Sequence, residues 1–107
     1  MPGIFTRVIQ LRGEIGVTQK VAAPKTGDRV LVVDDEPDIV ALVAYHLARA
    51  GYRVSTSANG AEALKAAREE QPALIVLDLM LPELSGFEVL ERIRADRALA
   101  DTPVLML

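Results

Sequence analysis

The sequence predicts an α/β protein built on a parallel, doubly wound sheet. Three short apolar runs are rich in branched side chains, as strands buried on both faces are, and they are Val30–Val33, Ala73–Leu77 and Val104–Leu107. Between them the apolar residues change to helical spacing, so strands and helices alternate along the chain. Such alternation implies right-handed crossovers and therefore parallel strands with helices on the sheet faces.

The composition is that of one ordinary globular domain with at most a tail. The chain has 107 residues, of which 50% are hydrophobic and 25% charged, and its net charge of -3 gives no support for nucleic-acid binding. It has no cysteine, which excludes disulfides and thiolate metal sites and favours a cytoplasmic protein. Its apolar runs are too short to span a bilayer.

Residues 1–28 differ from the rest of the chain and are interpreted as an N-terminal extension and linker. Apolar residues at helical spacing (Ile4, Val8, Leu11, Ile15) are interrupted by glycines that weaken a helix, and the same stretch is compatible with a strand as far as Leu11. A disordered extension or a misassigned start is the simplest interpretation. The stretch from Ala23 to Gly27 is typical of a linker.

The first helix is predicted to begin at Pro37, which suits a first helical turn, and to stop at Gly51. Its expected inward stripe is Ile39, Leu42, Val43 and Leu47. A more polar strand, Tyr52–Thr56, then suits a sheet edge. The next helix is predicted to be capped by Asn59, to end at Gln71-Pro72 and to bury Ala61, Leu64 and Ala67.

A third helix is predicted after the central apolar run. Ser85 and Glu88 form a capping-box pattern at its start. Its apolar residues are Phe87, Val89, Leu90 and Ile93. A polar stretch, Arg94–Thr102, leads to the last strand.

Three acids follow the ends of two predicted strands. Asp34 and Asp35 follow the first apolar run, and Asp78 follows the central one. Ligands of open α/β sheets bind outside the carboxyl ends of the strands. Adjacent strands lie about 4.8 Å apart, so the three carboxylates would meet in one crevice if these two strands are neighbours. Such crowding favours a hard cation such as Mg²⁺, beside which an aspartate can attack phosphorus and form an aspartyl phosphate.

Two segments carry a resemblance to a known family. Val32–Pro37 and Leu77–Pro82, followed by Ser85-Gly86-Phe87, resemble the receiver domain of two-component response regulators, most closely receivers that precede a winged-helix DNA-binding domain. The resemblance covers about residues 29–107. It implies a three-layer, flavodoxin-like sheet with strand order 2-1-3-4-5, which places the first and third strands side by side.

The same resemblance implies roles for individual residues. Asp78 would be the phosphoacceptor for a sensor histidine kinase. Asp35, Asp78 and the backbone carbonyl of Met80 would bind Mg²⁺ directly, and Asp34 would act largely through a water. The chain would be a signalling module rather than an enzyme. A phosphohydrolase of the haloacid dehalogenase type needs an acid two residues after the nucleophile, where this chain has Met80.

This sequence departs from the family pattern in several features, and these departures suggest an alternative function. The sequence stops after the fourth strand, so it lacks the family's Ser or Thr, its Lys and its final helix-strand-helix elements, which predicts weak phosphorylation. An unphosphorylated remnant that serves as a binding or assembly module is the alternative function. We expect the exposed edge of the fourth strand to drive self-association, rather than to be covered by the chain's own Ile4–Leu11 segment.

Overall fold

A computed structural model describes residues 4–9, 17–22 and 24–107. Six strands form one sheet in the order β2-β1-β6-β5-β3-β4, with three helices in the connections. The elements are β1 (Ile4–Ile9), β2 (Val17–Ala22), β3 (Arg29–Val33), α1 (Pro37–Arg49), β4 (Arg53–Ser57), α2 (Gly60–Glu70), β5 (Leu74–Leu77), α3 (Gly86–Ala95) and β6 (Val104–Met106).

The part from β3 onward is the predicted parallel, doubly wound sheet. Its strand order, β4-β3-β5-β6, is the predicted 2-1-3-4 order, with the polar strand β4 at an edge. The pairs β3–β4, β3–β5 and β5–β6 are all parallel. The fold class predicted from the alternation of strands and helices is therefore confirmed.

Alternate residues of the central strands feed two separate cores, which accounts for the three layers. Leu31 and Ile75 face α2 and α3 in the larger core, whereas Val32 and Val76 belong to a smaller core against α1. All four β3 residues from Val30 to Val33 are fully buried. Burial on both faces is the reason that these strands are continuous apolar runs without alternation.

The helix starts follow the caps predicted from the sequence. The Asn59 side chain accepts a hydrogen bond from the Glu62 amide at the start of α2. At α3 both halves of the capping box form, between Ser85 and Glu88. Because these bonds satisfy amides that have no partner within the helix, they fix where each helix begins.

Several predicted core positions are wrong. Ile39 and Leu42 are exposed, and Ala61 is exposed where Ala63 is buried. Helix α1 lies over β3 and β4 with Val43 and Leu47, so only one side of its apolar stripe meets the sheet. Conversely, Leu99 lies fully buried within the stretch that we predicted as polar.

The expectation of an open β6 edge is also wrong. Strand β1 pairs antiparallel with β6 at Ile9 and Leu105, and its other side pairs with β2 in a hairpin. An edge strand has backbone N–H and C=O groups without partners, and a segment of the same chain reaches them at high effective concentration. Residues 4–9 therefore form a strand, which was the alternative to a disordered extension. Leu11, Ile15 and Ala23 lie outside the described residues.

None of the helices in the described part of the chain is long and apolar enough to cross a membrane.

Candidate functional site

The sheet register brings the ends of β3 and β5 together. Val33 pairs with Leu77, so the next residue of each strand lies at the same edge of the sheet. The Asp78 amide donates to the Val33 carbonyl at 2.9 Å, and the Asp34 amide donates to the Ser57 carbonyl at 3.2 Å. These backbone bonds continue the strand pairing one residue past the apolar runs, which fixes Asp34 and Asp78 side by side.

Asp34, Asp35 and Asp78 form one acidic cluster. Each contributes a carboxylate oxygen, and these atoms all lie within 4.8 Å of one another. Asp34 is buried, Asp78 is partly buried and Asp35 is exposed, so the cluster opens to solvent on one side. The structure thus brings together the three acids that the sequence singled out.

The ionised form of Asp34 is disfavoured within the cluster. Burial raises the pKa of the Asp34 carboxyl above its ordinary value. A hydrogen bond from the Glu36 amide opposes that rise in pKa, whereas the charges of Asp78 and Asp35 and a side-chain hydrogen bond with Asp78 add to it. A positive charge placed here would relieve the repulsion.

Backbone amides orient two of the carboxylates. The Glu36 amide donates to Asp34 Oδ1 at 3.0 Å, and the Met80 amide donates to Asp78 Oδ1 at 3.1 Å. Each bond spans two residues and is made to a single oxygen, Oδ1, which fixes the orientation of the carboxylate. The Met80 side chain is 82% exposed and takes no part in the cluster.

The donor set fits a hard divalent cation such as Mg²⁺. The clustered side chains offer only carboxylate oxygens, and two of the three are accessible to solvent. Magnesium prefers oxygen ligands, keeps several waters and binds through one or two carboxylates together with phosphate oxygens. Because Asp35 is exposed and Asp78 is partly exposed, such waters and a phosphoryl group can approach these two acids from solvent.

Sequence reasoning did not single out Ser57. It is the buried last residue of β4, and its carbonyl receives the Asp34 amide. The sequence signal for Ser57 was its position. It follows the predicted strand Tyr52–Thr56, which was expected to lie beside the strand that precedes Asp34.

The comparisons with known proteins agree with this geometry. The family described as Response regulator receiver domain matches residues 30–107. The chain is 52% identical over 79 residues to the alkaline phosphatase synthesis transcriptional regulatory protein PhoP of Bacillus subtilis. That match covers 74% of this chain and 32% of PhoP, so the chain spans about a third of this curated relative.

Solved receiver structures share the fold. The N-terminal domain of a response regulator receiver protein from Methanoculleus marisnigri has a TM-score of 0.72 and 46% identity, over 74% of this chain and 64% of that one. The receiver domain of a sensor histidine kinase from Pseudomonas aeruginosa, solved with a magnesium ion coordinated in its active site cleft, has a TM-score of 0.72 and 30% identity. It matches 75% of this chain and 66% of its own length.

The sheet order, the acids at the ends of two adjacent strands and these matches lead to one conclusion. The chain belongs to the response regulator receiver domain family, the phosphoacceptor modules of two-component signal transduction.

Proposed function

We propose that Asp78 is the residue that accepts the phosphoryl group and that Mg²⁺ bound at the acidic cluster supports the transfer. The observation that carries this proposal is the convergence of three carboxylates within 4.8 Å at the carboxyl ends of adjacent parallel strands. A phosphoryl group could not approach three uncompensated negative charges at this distance without a cation.

Among the three acids, Asp78 is best placed to act as the nucleophile. The Met80 amide orients its carboxylate through Oδ1, and the residue is partly exposed on the open side of the cluster. Asp34 is only 6% exposed, so a phosphoryl donor cannot reach it as readily. We assign Asp35 and the Met80 backbone carbonyl, together with Asp78, as direct magnesium ligands, and Asp34 as a partner acting largely through water.

The proposed phosphoryl transfer to Asp78 forms one bond to phosphorus and breaks one. An oxygen of Asp78 attacks phosphorus and forms the P–O bond of an acyl phosphate, while the bond between phosphorus and its leaving group breaks. With a phosphohistidine donor the broken bond is P–N, and the imidazole nitrogen keeps the electron pair and takes up a proton. Magnesium, when bound, would offset the charge that develops on the phosphoryl oxygens.

The proposed partner is a sensor histidine kinase, and we place the exchange in the cytoplasm on the basis of the family assignment. The chain receives a phosphoryl group instead of turning over a free substrate. PhoP and RpaA are transcriptional regulators, and the segment that this chain matches spans about a third of each, so a transcriptional output of that kind would depend on parts of such regulators that the match does not include.

Incubation with acetyl phosphate and Mg²⁺, followed by mass spectrometry, tests the proposal. We expect the mass increase of one phosphoryl group in the wild type, no increase in Asp78→Asn, and loss of the increase when EDTA removes the metal. Glu69→Gln is the matched control, since it removes one carboxylate from an exposed helix position and should be labelled like the wild type.

Labelling that persists in Asp78→Asn would contradict the assignment of the phosphoacceptor. A wild-type chain that binds Mg²⁺ but is labelled by neither acetyl phosphate nor a panel of phosphorylated kinases would favour the binding-module alternative.

A further inference from the structure

Gly86, the first residue of α3, lies directly against the backbone that carries Asp78. It is buried, and its amide donates to the Leu79 carbonyl at 3.1 Å. A Cβ atom at position 86 would overlap the Asp78 carbonyl oxygen and would lie 2.7 Å from Leu79 Cα. Real Cβ atoms essentially never come within 3.0 Å of such atoms, so a side chain here would force the two segments apart.

Both partners in that contact are backbone, so neither can turn aside as a flexible side chain would. The Asp78–Leu79 segment is fixed on its other side, because the Asp78 amide donates to Val33 at 2.9 Å. It also leads directly to Met80, whose amide donates to Asp78 Oδ1 at 3.1 Å. A displacement of this segment by several tenths of an ångström would therefore move the carboxylate relative to its neighbours in the cluster.

We propose that Gly86 is a positioning residue for the metal site, and that its missing side chain lets the start of α3 hold Asp78 and Met80 in register with Asp34 and Asp35. The inference rests on the proposed magnesium site and extends it to a residue that touches neither metal nor phosphate. Magnesium requires near-ideal octahedral geometry, so small shifts of its ligands weaken binding.

A second glycine offers a matched control. Gly60, the first residue of α2, would bring its Cβ within 2.7 Å of Val89 Cγ2 and 2.9 Å of Leu84 Cδ2. These are side-chain atoms at the junction of α2 with α3, and no strand-end backbone is among them. Gly60→Ala thus introduces a Cβ into a close contact that side chains can partly relieve, and it does not push on the backbone at Asp78.

The experiment measures Mg²⁺ affinity by NMR titration of the wild type, Gly86→Ala and Gly60→Ala, with unfolding in urea recorded for all three. We expect Gly86→Ala to weaken Mg²⁺ binding by about tenfold or more, the range seen when residues supporting a metal ligand are changed. Gly60→Ala should lose stability and keep its Mg²⁺ affinity within about twofold of the wild type.

An NMR measurement on the metal-free protein distinguishes this inference from the proposed function. The Met80 amide signal should shift, and exchange faster with solvent, in metal-free Gly86→Ala but not in Gly60→Ala, because its bond to Asp78 Oδ1 loosens. A wild-type chain that binds no Mg²⁺ would contradict the proposed function, while the Met80 signal would still decide the role of Gly86.

An unchanged Met80 amide together with an unchanged Mg²⁺ affinity in Gly86→Ala would overturn the proposal. If that variant does not fold, Ser85→Ala decides instead, since it removes the hydroxyl that accepts the Glu88 amide and frees the first turn of α3. Weaker Mg²⁺ binding by Ser85→Ala supports the proposal, and unaltered binding overturns it.

Discussion

At the scale of single residues, Asp34 carries the electrostatic cost of the acidic cluster. Its carboxyl is buried beside two other acids, and burial is the main cause of its raised pKa. A carboxyl whose pKa is raised by folding binds its proton more tightly in the folded than in the unfolded state. Its stabilising contribution is therefore complete below the ordinary pKa of 3.8 and is lost as the pH rises through the raised value.

Asp34→Asn should therefore stabilise the metal-free protein at neutral pH, raising Tm by roughly a few degrees. The amide oxygen introduced by this substitution should still accept the Glu36 amide, so the local turn should survive. Thermal unfolding in EDTA between pH 4 and pH 7 measures the effect, which should shrink toward the acidic end. A difference that is constant over this pH range would show that the charge of Asp34 is not its cause.

Leu99 is a second residue of interest, because it is buried although it lies in a mostly polar stretch of the sequence. It lies between Asp96 and Thr102 in sequence, accepts the Thr102 amide at 3.0 Å with its carbonyl, and is fully buried in the larger core. Leu99→Ala should cost about 3–5 kcal/mol of unfolding free energy, the usual range for a leucine removed from a packed core. Urea denaturation measures this loss.

Leu42→Ala is the control for Leu99, because the same deletion is made at a side chain that is 56% exposed. We expect it to cost less than about 1 kcal/mol. Equal losses in the two variants would contradict the burial of Leu99.

At the scale of elements, an ion pair links α2 to the turn after α3. Arg68 Nε donates to Asp96 Oδ2 at 3.0 Å. That side-chain bond, with a further bond from the Ala98 amide, lowers the pKa of Asp96. A lowered pKa stabilises the folded chain above the ordinary value of 3.8, and this contribution is lost as the pH falls through the lowered value.

Arg68→Gln should raise the pKa of Asp96 toward its ordinary value, which NMR titration of the carboxyl measures directly. The variant should be slightly less stable than the wild type at pH 7, and the difference should vanish in strong acid. Lys65→Gln removes an exposed positive charge from the same helix and should leave the pKa of Asp96 unchanged. A similar pKa change in both variants would indicate a general charge effect in place of the specific bond.

The elements were predictable from sequence wherever local chemistry decides them. Continuous apolar runs and side-chain caps act within a few residues, so β3, β5 and the starts of α2 and α3 follow from the residues themselves. Which side of a helix is buried depends instead on what lies opposite. This is why Ile39 and Leu42 were misjudged although their helix was correctly predicted.

The candidate site shows the same division. The acids at the strand ends could be placed together, because strand order and register determine their positions. Which of the three acids is buried could not be predicted from the sequence. The burial of Asp34 depends on its bond to the end of β4 as well as on its own strand.

At the scale of the whole molecule, the N-terminal hairpin alters the edges of the sheet. Strand β1 covers the β6 edge that the parallel portion alone would leave open. Self-association through that edge stays a prediction, and it now requires that the hairpin be absent or displaced.

A chain that starts at Pro24 should therefore associate at lower concentration than the full chain, as sedimentation velocity would show. Leu107→Lys in the shortened chain is the control. It places a charge beside the exposed edge, and charges on edge strands oppose pairing between molecules. A shortened chain that remains monomeric at high concentration would show that the hairpin does not protect this edge.

The pairing of Ile9 with Leu105 also has a consequence for synthesis on the ribosome. The hairpin that contains Ile9 is local in sequence and is synthesised before its partner strand, which lies far downstream of it in the chain. Contacts between such distant segments form slowly, because a long loop must close before they contribute. The hairpin must therefore remain undocked while the central strands fold, and nascent chains should be most open to aggregation during that interval.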